Sequence, residues 1–400
     1  MTENRLRQVL FDLVEEVDAP PLAETAWATA ARRRRRGYVA VGAVAAIAVV
    51  GTMAGVAMDH AAPSPIAARP TIATGPDSRP DRAEIEPAPT APTWDGPQIQ
   101  SAPAANAIGA LPSLSTPWSA LSDIPRSAPA LSESPVSRVI AAVQQGPGEP
   151  VLLLGSGGGW RRLDAAPASS TSTTSSTDTS LMLGGMSFSP DGRRIAGAAT
   201  DGLVVVDLTT RDSLFLPAAP DRIDYLTWLP SGQEIAAGGD AGSAIYSLDG
   251  NVRPIDYIAG NLASGPPGGP LLELTRSAVV NRGHDPVTST PLDAGQIRLD
   301  DWYGGAHLNG DQLASTWFVN KNDKQAVATV DLTSGRLKAI LEFSYDGRSQ
   351  GCCPTLGWLD EHTVLLRDMG HILAWRPSTG ELLRVAEVPG GQNTEVALLP

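Results

Sequence analysis

Phe188-Ser-Pro-Asp-Gly-Arg-Arg-Ile-Ala196 is followed forty residues later by Trp228-Leu-Pro-Ser-Gly-Gln-Glu-Ile-Ala236. An aromatic residue, a turn signal and an apolar pair recur in the same order, the pattern of a strand end, a tight turn and a second strand. Ala306-His-Leu-Asn-Gly-Asp-Gln-Leu-Ala314 is a weaker copy, and Trp358-Leu-Asp-Glu-His-Thr-Val-Leu365 is another, one residue shorter. A second mark follows each copy: Val206-Asp-Leu-Thr-Thr210, Tyr246-Ser-Leu-Asp-Gly250, Val330-Asp-Leu-Thr-Ser-Gly335 and Trp375-Arg-Pro-Ser-Thr-Gly380. Each mark lies between a short apolar strand (Leu203–Val206, Ala244–Tyr246, Ala326–Val330, Ile372–Trp375) and one further strand.

The unit is therefore three or four antiparallel strands in roughly 40 to 50 residues, a period that predicts an all-β fold of β-propeller type. Trp228 and Ala306 are 78 residues apart, room for one degenerate unit near Pro266–Val280. Upstream, Val139–Gln144, the Gly146-Pro-Gly-Glu turn, Val151–Leu154 and Trp160–Leu163 make another. The spacing gives about six units, with five or seven also consistent with it. Thr394–Leu399 is placed to pair with the first unit and close the ring.

The phrase Phe-Ser-Pro-Asp-Gly-Arg-Arg-Ile-Ala resembles the repeat of TolB-like and WD-repeat-like propellers, over residues 137–400, strongly in two units and faintly elsewhere. The resemblance implies structural roles. Asp191-Gly192 and Ser231-Gly232 form turns in which glycine takes the positive φ, while Ile195, Ala196, Ile235 and Ala236 pack between units. Asn309-Gly310 occupies the same turn in the weaker copy. The Gly-His and Trp-Asp marks of WD repeats are absent.

Outside the repeats, Gly37–Met58 is a run of 22 residues without a charge. At helical rise it spans about 33 Å, the thickness of a hydrocarbon core. Arg32, Arg33, Arg34, Arg35 and Arg36 abut its N-terminal end, and Asp59 and His60 follow the other. The positive-inside rule then predicts a single-pass span with residues 1–36 cytoplasmic and the C-terminal domain extracytoplasmic. A cleaved signal peptide is the rival reading, but the leading region is long for one and so is the apolar run. Gly51-Thr-Met-Ala-Gly55 has GxxxG spacing, a weak signal in any span this rich in small residues.

In the tail, Leu6, Val9, Leu10, Leu13, Val14 and Val17 recur at helical spacing and predict a short amphipathic helix ended by Pro20-Pro21. Two short helices bury no core of their own, so the stripe needs a partner or the membrane surface. The plainer reading is a frayed tail whose arginines only set topology. The tail resembles those of actinobacterial single-pass proteins encoded beside extracytoplasmic-function sigma factors. That resemblance implies a cytoplasmic regulatory partner for residues 1–36, although the His-x3-Cys-x2-Cys site of zinc anti-sigma domains is missing.

Residues 59–136 hold 15 of the chain's 34 prolines and few consecutive apolar residues. Ordering entropy is then not offset by burial, and the stretch is expected to be a disordered stalk between the span and a propeller domain over 137–400. Ala168–Ser180, with 11 Ser or Thr in 13 residues, is expected to be a loop inside the folded domain.

The chemistry is sparse. After the apolar run the chain carries 23 basic against 37 acidic residues. That balance argues against nucleic-acid binding, which depends on neutralising phosphates. The only cysteines, Cys352 and Cys353, are adjacent, and both a vicinal disulfide and unpaired or partner-linked thiols fit that spacing. No metal-ligand spacing, cofactor loop or nucleophile motif occurs, so no metal, cofactor or catalytic residue is expected. Gly155-Ser-Gly-Gly-Gly159 lacks the lysine of a phosphate loop and reads as a turn. His284-Asp285 and Asp300-Asp301 are titratable spots whose default is a solvated loop, and the surplus tryptophans fall at strand positions suited to packing. The expected function is a membrane-anchored, non-catalytic platform for a protein, peptide or envelope glycan. A transmembrane signalling regulator is the alternative. A propeller lyase or hydrolase, which would need a channel lined by residues such as His284 or Asp301, is the second alternative.

Overall fold

Local turn chemistry builds the repeat. In the first copy the Gly192 N–H donates to the Ser189 carbonyl at 2.8 Å, with Gly192 at φ +68°. The Asp191 carboxylate accepts from the Ser189 hydroxyl at 2.6 Å and from the Arg193 N–H at 3.1 Å. The second copy repeats the geometry: Gly232 N–H donates to the Leu229 carbonyl at 2.9 Å, and the Ser231 hydroxyl accepts from Gln233 N–H at 3.2 Å. The two weaker copies turn more tightly, pairing Asn309 with Gln312 and Asp360 with Thr363 across two residues.

The structure is a computed structural model that describes residues 96–399 except 147, 165–182, 184–186, 200–201, 218–222, 240–241, 298, 320–323 and 349–351, with backbone alone for 299–304 and 319. The chain divides into two units, Met1–Ala91 and Pro92–Pro400, the first wholly outside the described residues. The expected tail helix, Arg32–Arg36, the Gly37–Met58 run, the start of the expected stalk and the Ser/Thr tract therefore lie outside them too. No helix among the described residues is long and apolar enough to cross a membrane.

Strand β1 (Gln98–Ser101) comes first. The first repeat unit holds β2 (Val139–Gln144), β3 (Leu152–Gly155) and β4 (Trp160–Arg162). The second holds β5 (Arg194–Ala199), β6 (Gly202–Asp207) and β7 (Ser213–Pro217), and the third β8 (Tyr225–Trp228), β9 (Glu234–Gly239), β10 (Gly242–Ser247) and β11 (Val252–Ile255). The degenerate unit follows as β12 (Ala263–Ser264), β13 (Leu272–Leu274), β14 (Ala278–Asn281) and β15 (Thr288–Pro291). Then come β16 (Leu299–Asn309), β17 (Gln312–Val319), β18 (Lys324–Asp331) and β19 (Leu337–Phe343). The last unit is β20 (Thr355–Asp360), β21 (Thr363–Asp368), β22 (His371–Arg376) and β23 (Glu381–Glu387), and β24 (Glu395–Leu398) ends the chain.

The fold is a β-propeller. Five sheets have three or four strands, the ordinary size of a blade. The remaining sheet is composite, in the order β1-β19-β18-β17-β16-β12, because β12 joins it from the preceding unit and β1 from the N-terminal side. About six units were expected; the blade count differs slightly, because only five sheets have blade size and the remaining one is composite. β24 pairs antiparallel with β2, from Ala141 opposite Leu398 to Gln144 opposite Glu395, so the C-terminal strand becomes the inner strand of the first unit.

Side-chain alternation joins one sheet to the next, since neighbouring residues of a strand face opposite ways. Ile195 packs with Val139, Leu153 and Ala397 of the sheet before it, whereas Ala196 packs with Trp228 and Ile235 of the sheet after it. Inner-strand tryptophans add a polar clamp: Trp228 Nε1 donates to the Ser187 carbonyl at 3.0 Å, and Trp358 Nε1 to the His307 carbonyl at 2.9 Å.

The expectation of a disordered stalk as far as Val136 needs correction, because residues 98–131 form a strap along outer strands. β1 pairs in parallel with β19, Ser113 bridges to Arg384 of β23, and Ala130 bridges to Arg162 of β4. Single apolar residues anchor the strap: Ile108, Trp118, Leu121 and Leu131 are all buried. Trp118 Nε1 donates to the Ile140 carbonyl at 3.0 Å, and Trp375 Nε1 donates to Gln100 Oε1 at 2.8 Å. Isolated apolar residues suffice when the propeller already supplies the other half of the core. The prolines help because they restrict the unfolded chain. The strap also covers sheet edges that would otherwise offer unpaired backbone.

Candidate functional site

Antiparallel order places the turns. The first-to-second and third-to-fourth strand turns of each sheet fall at one end of the ring. The second-to-third turns and the crossings to the next sheet fall at the other. Asp191, Gly192, Ser231, Gly232, Asn309 and Gly310 therefore all lie at one end, in short turns. Burial acts to raise the Asp191 carboxyl, but the Ser189 and Arg193 hydrogen bonds and the Arg194 and Arg193 charges outweigh it and hold it below the usual value.

At the opposite end a cavity of about 230 Å³ is lined by Cys352, Cys353, Pro354, Arg367, Met369, Gln392 and Glu395. Its parts come from the crossing into β20, the β21–β22 turn and the crossing into β24. Cys352 and Cys353 are joined in a vicinal disulfide. Cys353 (φ +69°) and Met369 (φ +61°) both adopt a left-handed backbone that side chains other than glycine rarely take. Arg367 spans the wall, with Nη2 donating to the Gln392 carbonyl at 2.6 Å and Nη1 lying 3.5 Å from the Glu395 carboxylate.

Behind the disulfide lies a fully buried ion pair. The side chains of Arg348 and Asp368 are both 0% exposed, with Arg348 Nε 2.9 and 3.1 Å from the two carboxylate oxygens and Nη2 at 2.7 Å. Nη2 also donates to the Pro103 carbonyl of the strap at 2.7 Å, and the guanidinium lies 5.2 Å from the centre of the Phe343 ring. Such a pair tolerates burial only because the remaining donors are also used. Cys352, Cys353 and Asp368 each have a ligand-type atom within 4.8 Å of the others. Joined sulfurs and a carboxylate committed to Arg348 nevertheless do not suit a metal ion as they stand.

A second polar group lies between the inner strands. His307 Nε2–H donates to the Thr355 carbonyl at 3.1 Å, and its Nδ1 accepts from the Ser264 hydroxyl at 3.2 Å. Burial pushes its pKa down to about 4, against the opposing pull of the Thr355 carbonyl, so the ring is neutral at pH 7. Both nitrogens are occupied in holding β12, β16 and β20 together.

Of the titratable residues singled out in the sequence, His284 and Asp285 do not reach this region. His284 and Asp285 are exposed between β14 and β15, away from the inner strands. Asp300 and Asp301 lie on the backbone of inner strand β16. Gly155–Gly159 is the β3–β4 turn, with Gly158 N–H donating to the Gly155 carbonyl at 2.9 Å. Arg348, Asp368, Ser264 and His307 carry no motif that sequence reading could find. Only the adjacent cysteines gave a signal.

No family model matches the chain, and no curated protein matches it in sequence. Among solved structures it is similar to a eukaryotic initiation factor at 14% identity, covering 62% of each chain with a TM-score of 0.36. An auxiliary nutrient binding protein from Bacteroides thetaiotaomicron is 11% identical over 60% of this chain and 71% of that one, with a TM-score of 0.34. The dihydro-heme d1 dehydrogenase NirN is 17% identical over 74% of this chain and 60% of its own, with a TM-score of 0.39. The chain thus spans about three fifths of the initiation factor and of the dehydrogenase. Strand order, rather than these likenesses, defines the fold.

Proposed function

We propose that this protein is a membrane-anchored, extracytoplasmic binding platform, of TolB-like or WD-repeat-like type, whose ligand-facing surface is the cavity end of the propeller. The observation that carries the reading is the difference between the two ends: short repeat turns form one, and the other holds a lined cavity next to a buried ion pair. The Arg32–Arg36 cluster before the uncharged Gly37–Met58 run supports the anchoring and its direction. The ligand is a protein, peptide or envelope glycan, and the role is non-catalytic. His307 is neutral and committed to structural hydrogen bonds, and His284 is remote from the inner strands.

Two measurements test this reading. External protease on intact cells should release the propeller while an N-terminal tag stays protected; protection of the propeller would overturn the topology. A photo-crosslinking residue placed at Met369 should capture a partner in the native membrane, whereas one at Asn309 should not. Capture from Asn309 alone would move the binding surface to the other end. The amphipathic stripe of residues 6–17 supports a further role in signalling to a cytoplasmic partner such as a sigma factor. Recovery of nothing by residues 1–36 would remove that role.

A further inference from the structure

The two sulfurs of the vicinal disulfide have unlike surroundings. The Gln325 side-chain N–H donates to Cys352 Sγ at 3.5 Å, while Cys353 Sγ lies 3.7 Å from an Asp368 carboxylate oxygen. An N–H donor stabilises a thiolate, and a neighbouring carboxylate disfavours one. Both cysteines also line the cavity, Cys352 being 7% and Cys353 1% exposed, so a thiol reaches the bond only by entering that space. A disulfide that only braced the fold would need neither the opening nor the asymmetry.

We propose that Cys352–Cys353 is a thiol–disulfide exchange centre, with Cys353 the sulfur attacked and Cys352 the leaving sulfur. An external thiolate forms a bond to Cys353 Sγ as the Cys352–Cys353 bond breaks, and the electron pair leaves on Cys352 as a thiolate held by Gln325. A second external thiolate then attacks the external sulfur of the mixed disulfide, and Cys353 leaves and takes a proton from water, its new S–H facing Asp368. Two external thiolates are oxidised to their disulfide, and the protein pair is reduced to the Cys352 thiolate and the Cys353 thiol. The reductant is a thiol, either a small molecule or a protein dithiol. The better leaving sulfur is the one whose thiolate meets a hydrogen-bond donor rather than a carboxylate, and Gln325 donates to Cys352. The inference does not depend on what the propeller binds.

The test uses the full-length protein in detergent. It is treated with a small monothiol or with a protein dithiol of Cys-x-x-Cys type, then alkylated and weighed by mass spectrometry while near-ultraviolet circular dichroism reports the fold. Two alkyl groups on a folded protein are expected. Labelling by the monothiol only identifies a small reductant, and labelling by the protein dithiol only identifies a protein one. Labelling that appears only after unfolding overturns the proposal. In single-cysteine variants at pH 7, Cys352 in Cys353→Ser should alkylate about ten-fold faster than Cys353 in Cys352→Ser. Gln325→Leu should reduce that ratio towards one. Equal rates before Gln325 is changed, or the reverse order, overturn the assignment.

Discussion

The two ends of this propeller are held by different means. At the repeat-turn end, most of the geometry closes within a few residues: Ser189, Asp191 and Gly192 bond to one another and to Arg193 and Arg194. At the cavity end, the contacts that matter join distant segments. Arg348 reaches Asp368 across 20 residues of sequence and the Pro103 carbonyl across 245. The turn end is thus repeated with small variation, while the contacts described at the cavity end join segments far apart in the chain. Repetition suits a scaffold, and singular long-range contacts suit a site.

The sharpest way to break the comparison is to remove Arg348. Arg348→Ala leaves Asp368 buried without its cation, and an uncompensated buried charge of this kind costs about 3–5 kcal/mol. Chemical denaturation should show a loss of that size, and Arg348→Met combined with Asp368→Leu should recover much of it. A loss below about 1 kcal/mol would mean that water reaches the pair and screens it.

The next effect belongs to His307, between the inner strands. Its folded pKa lies below its unfolded value, so the unfolded chain binds the extra proton first as pH falls. Its contribution is complete above about 6.5 and is lost progressively as pH falls towards about 4. The gap from 6.5 to about 4 corresponds to about 3 kcal/mol. Denaturation midpoints at pH 7.5 and 4.5 should differ accordingly, and His307→Gln should flatten that slope.

At the turn end, two glycines separate local from long-range control. Gly335 has φ +70°, and a Cβ there would run into the Pro291 carbonyl of the neighbouring sheet. Gly335→Ala should therefore cost about 2–3 kcal/mol, from the left-handed backbone and the clash together. Gly310 has φ +60° with nothing within 4 Å of a Cβ, so Gly310→Ala should cost only about 1 kcal/mol. Thermal melts of the two variants would rank them, and equal losses would show that the Pro291 loop yields.

Much of the scaffold was legible because turn chemistry and strand alternation are local. The copies at 188–196 and 228–236 announce their hairpins, and even the degenerate unit at 266–280 appears as β13 and β14. The strap was not legible. Ile108, Trp118 and Leu121 sit singly among prolines and polar residues, with no period to mark them, and their burial depends on grooves formed by strands far along the chain. Of the cavity, only the cysteine pair gave any sign.

By itself, the sequence determined the repeating hairpin and its all-β class, because turns and alternating strands are specified within about ten residues. Tertiary structure alone decided that a proline-rich stretch becomes a strap, that Cys352 and Cys353 are bonded beside a cavity, and that Arg348 meets Asp368. Those outcomes depend on surfaces that exist only after the sheets have packed, so no local pattern in the chain encodes them.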